Sequence, residues 1–216
     1  VFQDVRAVLF DFDGTLAHLN IDFPSMTRMV HKLMAQWGLN HSVLKEEYVL
    51  EQIQEAAEHL GSSWSAFRVE AMEMLHKVEM KAASRGELLP GVPWLLDRMR
   101  QQGIKVGVLT RNCRDAVLSA APALETHCDS FVPRDDLPRV KPHPDHLRKC
   151  MAQLEVDPPT SLMVGDHVID ILVGARVGMR TVGVLTGNTS KQALEDAGAD
   201  LILEEVTQLA FFIGLE

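Results

Sequence analysis

The chain has 216 residues, a formal charge of −9, and a composition of 46% hydrophobic and 24% charged residues. That length suits one large domain, or a domain with a smaller one inserted, of ordinary globular composition. The acidic balance excludes a general nucleic-acid binder, and no apolar run approaches the roughly 20 residues of a membrane span. The first residues carry no basic stretch followed by an apolar core, so no secretory signal is expected. Cys113, Cys128 and Cys150 are widely spaced and form neither a metal-binding pair nor a disulfide framework. Free thiols in a reducing cytosol fit them best, and a cytoplasmic protein is expected.

The first element is an apolar run of strand type, Val5 to Phe10, which delivers Asp11 and Asp13 to a turn at Gly14. Alternate residues of an extended chain point the same way, so both carboxylates face one spot beyond the strand end. Two like charges there repel unless a cation binds between them or one stays protonated. A plain surface turn would also use Asp and Gly, so the reading depends on what the later segments supply.

Residues 17–23 read as a linker. Pro24 starts a helix through Trp37, with Met26, Met29, Val30, Leu33, Met34 and Trp37 on one face. Ser42 is predicted to cap a second helix closed by Gly61, and Ser62 or Ser63 a third helix through Arg85. This helical block, residues 17–88, lies between a strand and a later α/β pattern and reads as an inserted bundle. From Pro90 the pattern alternates. A helix through Gln102 precedes a strand at Ile104–Leu109, a helix at Arg114–Ala121 and an apolar piece at Phe131-Val132. A helix at Pro144–Leu154, a strand at Ser161–Gly165 and a helix at Ile169–Val177 follow. A strand at Thr181–Leu185, a helix at Lys191–Ala197 and a strand at Leu201–Leu203 complete the pattern. Such alternation predicts an α/β fold with a doubly wound parallel sheet covered on both faces, built from residues 1–16 and 89–216.

In open parallel sheets, ligands bind beyond the carboxyl ends of the strands. The first strand delivers Asp11 and Asp13 there, with Gly14 and Thr15 beside them. The Ile104–Leu109 strand delivers Thr110, Arg111 and Asn112, and the Leu162–Val164 strand delivers Asp166, with Asp170 four residues on. Lys141 stands in a proline-bounded loop, Val140-Lys141-Pro142-His143-Pro144. Each has an ordinary alternative as a helix cap or a solvated charge. Together they suit a Mg²⁺ ion held by Asp11 and Asp166, with Asp170 outside or on the metal, and a phosphoryl group held by Thr110 and Lys141. Backbone N–H groups after Thr110 and around Gly14 would complete an anion cradle.

Four segments resemble, in order, the motifs of the haloacid dehalogenase superfamily. They are Asp11-Phe12-Asp13-Gly14-Thr15-Leu16, Leu109-Thr110-Arg111-Asn112, Val140-Lys141-Pro142 and Gly165-Asp166-His167-Val168-Ile169-Asp170. The inserted helices are similar to the cap of its phosphoglycolate phosphatase and β-phosphoglucomutase branch, and Leu88-Leu89-Pro90-Gly91-Val92 to that branch's return into the core. The resemblance implies a Rossmann-like doubly wound parallel sheet carrying an α-helical cap at residues 17–88. It implies a Mg²⁺-dependent phosphatase of a small phosphorylated metabolite, working as a monomer or homodimer without nucleic acid or membrane. Asp11 would be the nucleophile and Asp13 the acid and base, supported by Thr15 and Gly14. Thr110, Arg111 and Lys141, with Asn112 in support, would bind the substrate phosphate, and Asp166, Asp170, Asp11 and the Asp13 carbonyl would serve the metal. The Ala17-His18-Leu19-Asn20 segment lacks the Asp-Ser pair common in the phosphoglycolate branch, and Val140 stands where glycine is frequent. A phosphomutase using the same nucleophile is the nearest alternative, and a phospho-accepting signalling domain is the alternative from another class. A 2-haloacid dehalogenase would need neither an acid at Asp13 nor a metal.

Overall fold

Short apolar runs bounded by turn residues form the strands of the computed structural model, which describes residues 2 and 4–215. In chain order they are β1 (Ala7–Phe10), β2 (Ala17–His18), β3 (Glu87–Leu88), β4 (Lys105–Leu109), β5 (Ser130–Val132), β6 (Ser161–Gly165), β7 (Arg180–Val184) and β8 (Leu201–Leu203). The first helices are α1 (Phe23–Gln36), α2 (Val49–Glu55), α3 (Ala57–Leu60) and α4 (Trp64–Ala83). After β3 come α5 (Val92–Gln101), α6 (Arg114–Ala120), α7 (Leu124–His127), α8 (Asp145–Leu154), α9 (Val168–Arg176), α10 (Lys191–Asp196) and α11 (Leu209–Phe212).

Six strands form one sheet in the order β5-β4-β1-β6-β7-β8, and every neighbouring pair is parallel. Counted along the chain, its strands lie 3-2-1-4-5-6 across the sheet, as in a doubly wound dinucleotide-binding fold. The order reverses between β1 and β6, so a crevice opens at their carboxyl ends. Phe10 pairs with Val108 on one side and Val164 on the other. The residues that follow these strands therefore emerge together.

Ala7, Leu9, Leu109 and Met163 pack on one face of the sheet with Leu147, Cys150, Met151 and Leu154 of α8 and Val173 of α9. The alternate residues Val8, Phe10, Val106, Val108, Leu162 and Val164 are equally buried. Burial on both faces is why these strands read as continuous apolar runs. No helix among the described residues is long and apolar enough to cross a membrane.

The chain divides into two compact units, Val1–Leu19 with Ala83–Glu216, and Asn20–Ala82. In the first, β2 and β3 pair antiparallel, Ala17 with Leu88 and His18 with Glu87, at the two ends of the insertion. The sequence pattern places Ala17 and His18 in a linker and gives Glu87 and Leu88 no element, because two-residue strands leave no periodicity to read. In the second unit, Asp22 caps α1 by accepting the Ser25 N–H at 2.9 Å.

The predicted second helix ends at Gly61 as expected but does not start at Ser42. His41–Val43 is a single 3-10 turn capped by Asn40, and α2 starts only at Val49. The reason is local competition. The Glu55 carboxylate accepts the backbone N–H groups of Lys45 and Glu46 at 2.9–3.0 Å, and Gln52 donates to the Glu46 carbonyl at 2.9 Å. Those backbone groups are satisfied in an extended segment, so it does not coil. The third helix begins at Trp64 after a 3-10 turn at Gly61–Ser63.

Candidate active site

Asp11 follows β1 directly, and its N–H continues the sheet ladder to the Val164 carbonyl at 2.9 Å. Asp11 is 8% exposed, Lys141 1% and Asp170 2%. The Lys141 Nζ donates to Asp11 Oδ1 and to Asp170 Oδ1, both at 2.6 Å. A buried ammonium survives only when paired in this way. Burial alone would lower the Lys141 pKa, but the Asp11 and Asp170 charges outweigh it and raise it.

Asp170 stands in the first turn of α9. Its Oδ2 accepts the His167 N–H at 3.2 Å, while His167 Nδ1 accepts the Ile169 N–H. This reciprocal pair caps the helix and commits both Asp170 oxygens, one to Lys141 and one to the helix start.

Among the described residues, Asp11, Asp166 and Asp170 each offer a carboxylate oxygen within 4.8 Å of the others. Three carboxylates around one ammonium carry excess negative charge. Burial pushes Asp11 up to about 7 against the pull of Lys141. Asp166 rises to about 8 by burial, with Asp11 and Asp170 adding to it. Hard oxygen donors with unbalanced charge are what a divalent cation requires, so the residues fit one.

Gly14 turns the chain at φ +87°, and an added Cβ would lie 2.6 Å from the Asp166 carboxylate. An added Cβ on Gly187 would lie 1.7 Å from Asp166 Oδ2. The two glycines let backbone close around that carboxylate. Thr186, beside Gly187, donates to the Gly14 carbonyl at 2.6 Å. The sequence reading missed the Thr186-Gly187 turn, although it follows β7 and the same search of strand ends would have found it.

Asp13 is partly buried, and its Oδ1 accepts the Leu19 N–H at 2.8 Å. The buried Thr15 hydroxyl lies 3.5 Å from Asp166 Oδ1. Thr110 is buried after β4, and its hydroxyl accepts the Asn112 N–H at 3.2 Å. Arg111 donates to the Lys141 carbonyl and so braces that loop. His146, fully buried on α8, was also missed. It sits on the inward face that α8 presents with Leu147, Cys150 and Leu154, a spacing visible in the sequence.

A parallel sheet whose switch point gathers carboxylates, a hydroxyl and an ammonium has the form of an α/β enzyme with its ligand crevice at the strand ends. The family model for haloacid dehalogenase-like hydrolases matches residues 8–184, and the chain belongs to that family. Among its relatives are the pyrophosphatases PpaX of Bacillus mycoides, 29% identical over 95% of each chain, and of Bacillus cereus, 30% identical over 95% of this chain and 94% of that one. Similar solved structures include a phosphonoacetaldehyde hydrolase-like protein from Oleispira antarctica (TM-score 0.70, 23% identity, 98% of this chain and 92% of that one). A hydrolase from Pseudomonas syringae also matches in fold (TM-score 0.70, 21% identity, 95% of this chain and 97% of that one). The protein is accordingly a phosphohydrolase of this family.

Proposed function

We propose that this enzyme hydrolyses a small phosphate monoester through an aspartyl phosphate on Asp11, with Mg²⁺ at the acidic cluster. The observation that carries the reading is the buried Asp11–Lys141–Asp170 ion triad at the sheet's switch point, with Asp166 alongside. The Asp11 carboxylate attacks phosphorus, and the bond to the leaving alkoxide breaks as Asp13 gives that oxygen a proton. Asp13 then takes a proton from water, which attacks the aspartyl phosphate and releases phosphate and the free Asp11 carboxylate. Thr110 and Lys141 hold the phosphoryl oxygens, and Arg111 keeps the Lys141 loop in place. Asp11, Asp166 and the Asp13 carbonyl would hold Mg²⁺, which would supply positive charge against the transferring group and the Asp11 carboxylate. Asp170 supports this set through Lys141 and the α9 cap. The three buried free cysteines fit a reducing compartment.

Pyrophosphate is the second substrate reading, favoured by the pyrophosphatase relatives. The test is phosphate release from a panel of monoesters and pyrophosphate, with and without Mg²⁺, for the parent and for Asp11→Asn. The variant should lose at least about 10³-fold in turnover, and equal turnover would sink the nucleophile assignment. Product analysis decides against a phosphomutase if free phosphate exceeds isomerised sugar phosphate.

A further inference from the structure

The Lys141 ammonium is held by Asp11 and Asp170, and in the reaction proposed above Asp11 changes its charge and bonding as it takes up and releases the phosphoryl group. Something else has to hold the lysine in place through such a cycle. Its backbone supplies that hold. The Lys141 N–H is bound at 3.1 Å by His146 Nδ1, and the opposite ring nitrogen, Nε2, lies 2.9 Å from the Val132 carbonyl at the end of β5. One partner is a donor and the other an acceptor, so the tautomer follows: Nδ1 is bare and Nε2 carries the proton. The same Val132 carbonyl also accepts the Thr110 N–H at 3.2 Å. One carbonyl thus receives both the backbone of Thr110 and, through the imidazole, the backbone of Lys141.

The geometry points to His146 as a positioning residue that sets the spacing between Thr110 and Lys141, the two groups proposed to hold the phosphoryl oxygens. This inference rests on the phosphoryl-transfer reading above and adds to it a residue outside the four motif segments. His146 is 0% exposed, so no solvent competes for either bond in the folded protein. Burial, aided by the Lys141 charge, lowers its pKa to about 3, so the neutral ring and its tautomer persist across the working pH. Arg111 ties the other end of the same residue, the Lys141 carbonyl. The backbone of Lys141 is therefore clamped on both sides while its ammonium remains free to exchange partners.

Three substitutions separate positioning from packing. His146→Leu fills the space without either bond. His146→Asn places an amide oxygen near the Nδ1 position and keeps an acceptor for the Lys141 N–H. His146→Gln places an amide nitrogen near Nε2 and keeps only the link to Val132. The readout is the dissociation constant of inorganic phosphate in the presence of Mg²⁺, by titration calorimetry on folded protein, alongside KM and kcat for a monoester. A simple loss of folded protein lowers apparent kcat but leaves both the phosphate constant and KM unchanged. We expect His146→Leu and His146→Gln to weaken phosphate and raise KM about tenfold, and His146→Asn to stay within about twofold of the parent. An unchanged phosphate constant in His146→Leu, or equal values in the Asn and Gln variants, would overturn the inference. If His146→Leu does not fold, the Asn and Gln pair still decides it. A parent that binds phosphate without turning over any ester refutes the catalytic reading and leaves the His146 comparison intact.

Discussion

Asp11 and Asp166 sit together with Asp170 where desolvation opposes their ionisation, and one lysine does not balance three carboxylates. In the unfolded chain these carboxyls lose protons near 3.8, whereas in the fold Asp11 holds one to about 7 and Asp166 to about 8. Between those values the native state binds more protons, so the stability of the cation-free protein falls as pH rises through the interval. A divalent cation replaces the protons and removes the loss. Thermal melts from pH 5 to 8 with chelator should therefore show a falling midpoint that Mg²⁺ restores, and parallel curves would disprove the coupling. Gly187 matters at the same carboxylate. In Gly187→Ala the methyl group would meet Asp166 Oδ2 at 1.7 Å, so the carboxylate must move. Half-saturating Mg²⁺ should rise about tenfold or more, measured as activity against Mg²⁺ concentration. An unchanged requirement would remove Asp166 from the cation set. Asp11 and Asp166 are legible as polar residues at the ends of apolar strands, Asp170 as the acid four residues on, and Lys141 from its proline-bounded loop. Gly187 stands just past a strand end and His146 on the apolar face of a helix, positions visible in the sequence, but the contacts that give them a role appear only once their neighbours are known.

The strands of the sheet were the most legible elements, since their apolar runs are buried on both faces and bounded by turns. Ser161–Gly165 and Leu201–Leu203 match the expected bounds, and the other sheet strands differ by one or two residues at one end or by one at both. The segment from Ser42 to Tyr48 misled because helix propensity is weak where a side chain can satisfy the backbone instead. Glu55 performs that function for Lys45 and Glu46, and their N–H groups hold its carboxyl below the usual carboxylate range. A group lowered in this way contributes stability above its unfolded pKa and loses it as pH falls through the folded one. Glu55→Ala should speed hydrogen exchange at the Lys45 and Glu46 amides while the sheet amides keep their protection. Unchanged exchange at those two amides would show that the segment is held by other contacts.

The chain leaves the first compact unit at β2 and re-enters it at β3. Because β2 and β3 pair antiparallel, the ends of the insertion lie side by side, and a short turn can replace it. Replacing residues 20–82 by a short Gly/Ser linker should leave a cooperatively unfolding α/β protein, followed by circular dichroism in urea. A non-cooperative transition would show that the sheet unit needs the helical one to fold. The order of amino acids alone determined the α/β alternation, the inserted helices and the identity of most polar strand-end residues, because periodicity and turn chemistry act over a few neighbouring positions. Only the tertiary structure decided that Lys141 lies between Asp11 and Asp170, 130 and 29 residues away, that Gly187 closes on Asp166, and that His146 links Lys141 to Val132. Those contacts depend on which strands pair and in what order, and no local pattern in the chain encodes that.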